Sequence, residues 1–254
     1  MAETDITSHE LPNIVTMVSE RFKSIPALEH LSRYESIIFS LIVVVFISIV
    51  TILASRRINI IPGRLQAAFE MLAGGFDSFV CGILGPIGKR LTPFIGTLFI
   101  YILSMNLISL IPFMKAPTSS WSVTLALAIV VFIYLQYTAL KELGLFGFVD
   151  HLMGKPRGIL AVSVLIPIFM FFLHTLSELI RPISLSLRLR SNIWGDDMLL
   201  TVLAGFGLKG VPLLLFNMFI AGLAAVVQAS VFCLLTTIYF ALVITHEKEE
   251  LHGL

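Results

Sequence analysis

The sequence predicts an all-α integral membrane protein with about five membrane crossings. Three observations carry that expectation. The chain of 254 residues is 57% hydrophobic and 13% charged, with a mean hydropathy of +0.97, whereas ordinary soluble domains are close to half apolar. Apolar stretches recur that are long enough to cross a hydrocarbon core of ~30 Å, which takes about 20 helical residues. The run LIVVVFISIVTIL, starting at Leu41, shows none of the apolar and polar alternation of a barrel strand.

Composition also excludes function classes. A net charge of +1, with no basic run interleaved with aromatics, argues against nucleic acid as a partner. Cys81 and Cys233 are isolated thiols without CxxC spacing, so neither a metal site nor a disulfide framework is indicated and both read as packing residues. The N-terminal MAETDITSHELPNIV is acidic and has neither a basic secretory n-region nor Arg-rich transit character, which points to a bacterial membrane. The sequence has no Walker A pattern and no nucleophile constellation, so nucleotide chemistry and cofactors are not expected on this chain.

Read in order, residues 1–35 form a polar to amphipathic lead, and a first span runs from Ser36 to Ala54, closed by Arg56 and Arg57. The segment 58–90 contains Glu70, Asp77, Arg64, Lys89 and Arg90 and is interrupted by glycines, which suits an amphipathic surface helix better than a span. A second span is expected from Thr92 to Phe113 and a third from Trp121 to Leu140, joined by the turn MKAPTSS. Two longer apolar stretches follow, 159–206 and 211–245, with residues 141–158 as a loop before them and the acidic tail HEKEELHGL after them. At 1.5 Å per residue, about 48 and about 35 residues give roughly 70 and 50 Å, too long for upright helices. The region 159–245 therefore reads as a long, tilted helical hairpin, within a single membrane domain spanning 1–254. Pro167 and Pro182 are candidate kinks in its first arm, since each removes a backbone donor.

Basic residues set the orientation. Arg56, Arg57, Arg64, Lys89 and Arg90 flank the loop after the first span, whereas the MKAPTSS turn has only Lys115. That loop is expected in the cytoplasm, as is the loop with Lys141, Lys155 and Arg157. The N-terminus is then outside and the C-terminus inside.

The functional signal lies in HTLSELIRPISLSLRLRSNIWGDD, residues 174–197. Each ionisable group at such a depth costs roughly 2.5 to 3.5 kcal/mol on insertion scales, so its presence calls for a function. At 100° per residue, His174, Ser177, Arg181, Ser184, Arg188, Asn192 and Gly195 fall within about 40° of Arg188 and form one polar stripe. Glu178 and Asp196 sit at about 80° from Arg188, while Arg190 and Asp197 point roughly to the opposite face. Several members also admit a structural reading. Arg181 can snorkel or pair with Glu178, Arg190 can reach a headgroup or a neighbouring helix, His174 can pack beside Glu178, and Trp194 can anchor at the interface. Arg188 admits none of these: it lies near mid-span, and its guanidinium stays charged at any physiological pH. In the last helix Gln228, flanked by Ala221, Gly222, Ala224, Ala225, Ala229 and Ser230, is placed either to bond the Arg188 face or to make a plain interhelical hydrogen bond.

The run RPISLSLRLRSNIWGDD resembles the signature of subunit a of the F-type rotary ATP synthases, which reads RP-x-SL-x-LRL, then FGN, a variable pair, G and an acid. NLISLIP at 106–112, the PTSSWSVTLALA start of the third span and Gln228 with LTTIYFALV extend the resemblance over nearly the whole chain. It places the family's stator arginine on Arg188, its Asn on Asn192, its terminal acid on Asp197 and its last-helix Gln on Gln228. The chain departs from the pattern at Arg190, Ser191 and Asp196, at Ser120 and Ser122, and at His174, where the family usually has Glu; Glu178 follows one turn later.

The resemblance implies a non-catalytic membrane subunit that faces a ring of c subunits, is held by the b-subunit peripheral stalk, and works with the rest of the synthase. It implies two half-channels for protons or sodium ions, with Arg188 between them. His174, Glu178 and Arg181 would belong to the cytoplasmic path, and Asp196 and Asp197, with Asn192 and Gln228 nearby, to the outer one. The alternative class is a secondary transporter or self-contained ion channel, weakened by the absence of paired halves. A plain membrane anchor leaves Arg188 unexplained.

Overall fold

The computed structural model of the chain describes residues 35–55, 63–111, 114, 116–153 and 162–251. The lead up to residue 34, Arg56, Arg57, Lys115, Lys155 and Arg157, on which part of the topology reading rests, lie outside the described residues.

Every regular element among the described residues is helical. Helix α1 is Glu35–Ser55, α2 Arg64–Leu84, α3 Gly88–Leu107, α4 Trp121–Met153, α5 Val162–Ala204 and α6 Val211–Leu251, with short 3-10 turns at Gly85–Ile87, Ile108–Leu110, Pro117–Ser119 and Gly207–Gly210. Without water in a bilayer, backbone groups must bond within their own segment, and continuous helices achieve this. Five stretches are long and apolar enough to cross a membrane: Glu35–Leu53, Phe69–Leu110, Trp121–Lys141, Ile168–Ala204 and Val211–Leu242. The second of these, 42 residues, joins most of α2 to α3, and Gly85 interrupts it with φ 66°. One bilayer needs about 20 of those residues, so α2 and α3 are not a single upright span.

The structure corrects two expectations. Residues 141–153 are helical, not loop: α4 continues to Met153, redirected at Gly144, whose φ of 68° and ψ of 171° fall outside the helical region and suit a residue without Cβ. The second span ends its α-helix at Leu107, not Phe113, and tightens into a 3-10 turn. The candidate kink positions Pro167 and Pro182 both lie inside the single helix α5, where each lacks a backbone donor.

The last two helices, of 43 and 41 residues, are about 65 and 62 Å long at 1.5 Å per residue, twice the ~30 Å hydrocarbon thickness. They form an antiparallel hairpin closed by residues 205–210, where Gly207 takes φ 59°. At Gly210 a Cβ would come within 2.6 Å of the Leu203 carbonyl oxygen, so the return needs glycine.

The core lies where α3 meets α6, with α2, α4 and α5 packed around it. Ile95, Ile102 and Met105 of α3 are fully buried, as are Val80, Leu189, Phe232 and Phe240. Phe94, Tyr134 and Phe240 bring aromatic rings from α3, α4 and α6 together, with centroids 4.3 to 6.4 Å apart. Helix α1 is mostly exposed, and so is one long apolar face of the hairpin, including Phe172, Ile180, Ile183 and Leu187 of α5 and Phe216, Phe219, Leu223 and Val227 of α6.

Candidate functional site

The polar stripe of α5 straddles the boundary between its packed and open faces. Leu185, Ser186, Leu189 and Ile193 are buried against neighbouring helices, whereas Ser184, Leu187, Arg188, Ser191 and Asn192 are exposed. Arg188 makes no hydrogen bond and no ion pair among the described residues, so its fixed charge stands unneutralised at the edge of the open face. Beneath it, the hydroxyl of Ser186 donates to Thr124 Oγ1 of α4 at 3.1 Å, tying the two helices together.

The other cations of the segment are engaged. Arg190, on the opposite side, lies over the ring of Trp121, 5.3 Å from its centroid. This is the neighbouring-helix contact that sequence admitted for it. Arg181 lies over the Tyr239 ring of α6 at 5.0 Å. It does not pair with Glu178, the structural alternative considered above. Glu178 instead accepts a hydrogen bond from Nε2 of Gln136 on α4, at 2.5 Å. The ring quadrupole of Tyr239 attracts the guanidinium, while Gln136 occupies the carboxylate.

On the far side of Arg188, Asn192 donates from Nδ2 to Gln228 Oε1 at 2.5 Å. Gln228 is 5% exposed, and its Nε2 has no partner among the described residues. The two readings of Gln228 thus merge: it bonds the Arg188 face, through Asn192. Asp196 and Asp197 are half-buried in the next turn, and the Asp197 carbonyl accepts from Thr201 Oγ1 at 2.8 Å. His174 is half-buried at the start of the stripe. The eight residues singled out from sequence therefore fall into a group on the N-terminal side of Arg188 along α5 (His174, Glu178, Arg181), Arg188 alone, and a group on its C-terminal side together with Gln228 of α6 (Asn192, Asp196, Asp197, Gln228).

Sequence reasoning missed the partners. Gln136 sits in an otherwise apolar run, Thr124, Ser186 and Tyr239 were not singled out as partners, and Asn217 is buried at 5% exposure with an unpartnered Nδ2. Asn106, 1% exposed, accepts from Thr118 Oγ1 at 2.9 Å and ties the end of α3 to the turn before α4. The available signal was the one used for the stripe: polar side chains within apolar helices are costly unless they meet.

Long apolar helices, with an unneutralised guanidinium at the edge of an exposed apolar face, define a multi-pass membrane protein. The comparisons narrow this class. The ATP synthase A chain family matches residues 37–241. The chain is 40% identical to ATP synthase subunit a of Protochlamydia amoebophila (strain UWE25), over 95% of its own length and 92% of that protein's. It is 35% identical to ATP synthase subunit a of Moorella thermoacetica, over 82% of this chain and 89% of the relative. The identity to the subunit a of Solidesulfovibrio magneticus is 34%, over 90% and 94%. The chain belongs to the ATP synthase A chain family.

Proposed function

We propose that the chain is the stator subunit of the membrane sector of a rotary ATP synthase, placing two ion half-channels and one fixed arginine against a rotating c ring. The position of Arg188 carries this reading: an unpaired, permanent charge on the exposed edge of a long helix, with polar groups on both sides of it along the hairpin. A guanidinium there attracts a deprotonated rotor carboxylate, makes it release its ion, and repels a free cation from crossing directly. Each elementary charge descending the membrane yields ~2.3 kcal/mol per 100 mV, and a barrier between the half-channels keeps that energy for rotation.

The exposed apolar face of the hairpin is the surface for the ring, and a helix pair longer than the bilayer is thick follows a curved partner. The basic-residue bias directs the N-terminus outward and the C-terminus into the cytoplasm of a bacterial inner membrane. Under that orientation α5 runs from inside to outside, so Glu178 and His174 serve the cytoplasmic path and Asn192, Gln228, Asp196 and Asp197 the outer path. The b-subunit stalk and the catalytic sector complete the assembly, and α2 lies along the cytoplasmic surface.

Cross-linking tests the placement. With Cys81 and Cys233 replaced, Leu187→Cys should form disulfides with cysteines placed beside the rotor carboxylate in the intact complex. A complex that pumps but gives no cross-link from Leu187→Cys or Ser191→Cys would refute the assignment of this face.

A further inference from the structure

We propose that Glu178 and Gln136 form a transfer station for the translocated cation on the inner side of Arg188, with Gln136 as the positioning residue. The inference rests on the functional reading above and goes beyond it by naming a residue of α4 and the chemistry of the station. Gln136 lies in the apolar run of α4 between Leu135 and Tyr137, where an amide is costly unless it is bonded. Its Nε2 donates to Glu178 Oε2 across the α4–α5 interface at 2.5 Å. That leaves Gln136 Oε1 buried without a donor among the described residues. Thr175 Oγ1, one turn before Glu178 on α5, is also buried and unpartnered. The carboxylate of Glu178 with the free carbonyl oxygen of Gln136, and the Thr175 hydroxyl one turn before Glu178 on the same helix, supply the oxygen donors that a small hard cation, sodium or a hydrated proton, takes.

The choice of partner matters. An arginine would hold the carboxylate ionised, and Arg181, three residues away, is turned instead onto Tyr239. An amide serves both charge states: its N–H donates to the carboxylate, and after rotation its carbonyl accepts from the carboxylic acid. Glu178 thus keeps one neighbour while it takes up and releases an ion. The titratable groups within four residues of the pair in sequence are His174 and Arg181 on α5 and Tyr134 and Tyr137 on α4, and Tyr239 of α6 reaches this region through its ring contact with Arg181.

The test uses the intact complex reconstituted in vesicles, comparing ATP-driven pumping, then passive flux after the catalytic sector is stripped, with and without sodium. Gln136→Leu keeps the side-chain bulk and removes both amide groups; it should slow passive flux about tenfold, the effect of losing a hydrogen bond to a charged group. The exchange Gln136→Glu with Glu178→Gln preserves a carboxylate–amide pair and should restore flux to within about threefold of the parent, a recovery that contacting residues show and independent ones do not. Flux that rises with sodium, with its half-saturation shifted in Gln136→Leu, supports the station with sodium as the ion; sodium-independent flux slowed by the same variant supports it with the proton. Parent-level flux in Gln136→Leu overturns the proposal, as does an exchange variant no better than the worse single one. The exchange variant alone decides if Gln136→Leu fails to assemble. Arg188→Ala is run in parallel: if it pumps normally the stator reading fails, whereas if it is uncoupled and Gln136→Leu is unaffected only the station fails.

Discussion

Arg188→Ala removes the one cation of the segment that has no partner among the described residues. The electrostatic effect on a rotor carboxylate follows from its exposure. At a contact distance of about 4 Å and an effective dielectric constant of about 20, two unit charges attract by about 4 kcal/mol, which is about three pKa units for the carboxylate. Without Arg188 the carboxylate therefore holds its ion with about a thousandfold higher affinity as it passes the stator. Release at that point stops being coupled to rotation. The assay is ATP-driven pumping in reconstituted vesicles, paired with passive flux through membranes stripped of the catalytic sector. Arg188→Ala should abolish pumping and synthesis, leave the subunit assembled, and raise passive flux because the barrier between the half-channels is gone. Arg188→Lys should still fail in synthesis, since an ammonium is compact and lacks the planar reach of guanidinium. Arg190→Ala is the internal control: its guanidinium lies over Trp121, so its loss should affect packing and not coupling. Normal pumping in Arg188→Ala together with uncoupling in Arg190→Ala would refute the reasoning and move the stator charge to the other face.

Further outcomes follow from the same geometry. Gln228→Leu breaks the bond to Asn192, yet side-chain hydrogen bonds between membrane helices average only ~0.6 kcal/mol; the complex should assemble with parent stability while passive flux through the outer path falls, and an unassembled complex would mean that Gln228 is purely structural. Asp196→Cys or Asp197→Cys, in a background without Cys81 and Cys233, should react with a water-soluble thiol reagent added from outside, and silence at both positions would remove them from the outer path. A C-terminal alkaline phosphatase fusion should be inactive and an N-terminal outward-facing reporter active; the opposite result would contradict the five-crossing topology.

Much of this protein was legible in one dimension. Hydrocarbon thickness sets a minimum apolar length, so five crossing segments and two overlong final helices follow from residue counts. The period of 3.6 placed Arg188 and Asn192 on one face and sent Arg190 to the other, and the tertiary arrangement agrees, with Arg188 exposed and Arg190 over Trp121. The helical continuation beyond Gly144 was not legible, because a short stretch broken by Gly144, Gly147 and Gly154 and flanked by Lys141 and Glu142 reads equally as a loop or as a redirected helix. Nor were the partners. Periodicity says which way a side chain leaves its own helix, but not which residue of another helix stands at the same depth. Glu178 had Arg181 one turn away in sequence, and only the packing of α4 and α6 against α5 assigned Gln136 to the carboxylate and Tyr239 to the guanidinium. Sequence by itself determined the membrane class, the spans and the polar stripe, because these depend on local period and length. Tertiary structure alone decided which charge stays unpaired, because pairing depends on helix crossings between residues far apart in the chain.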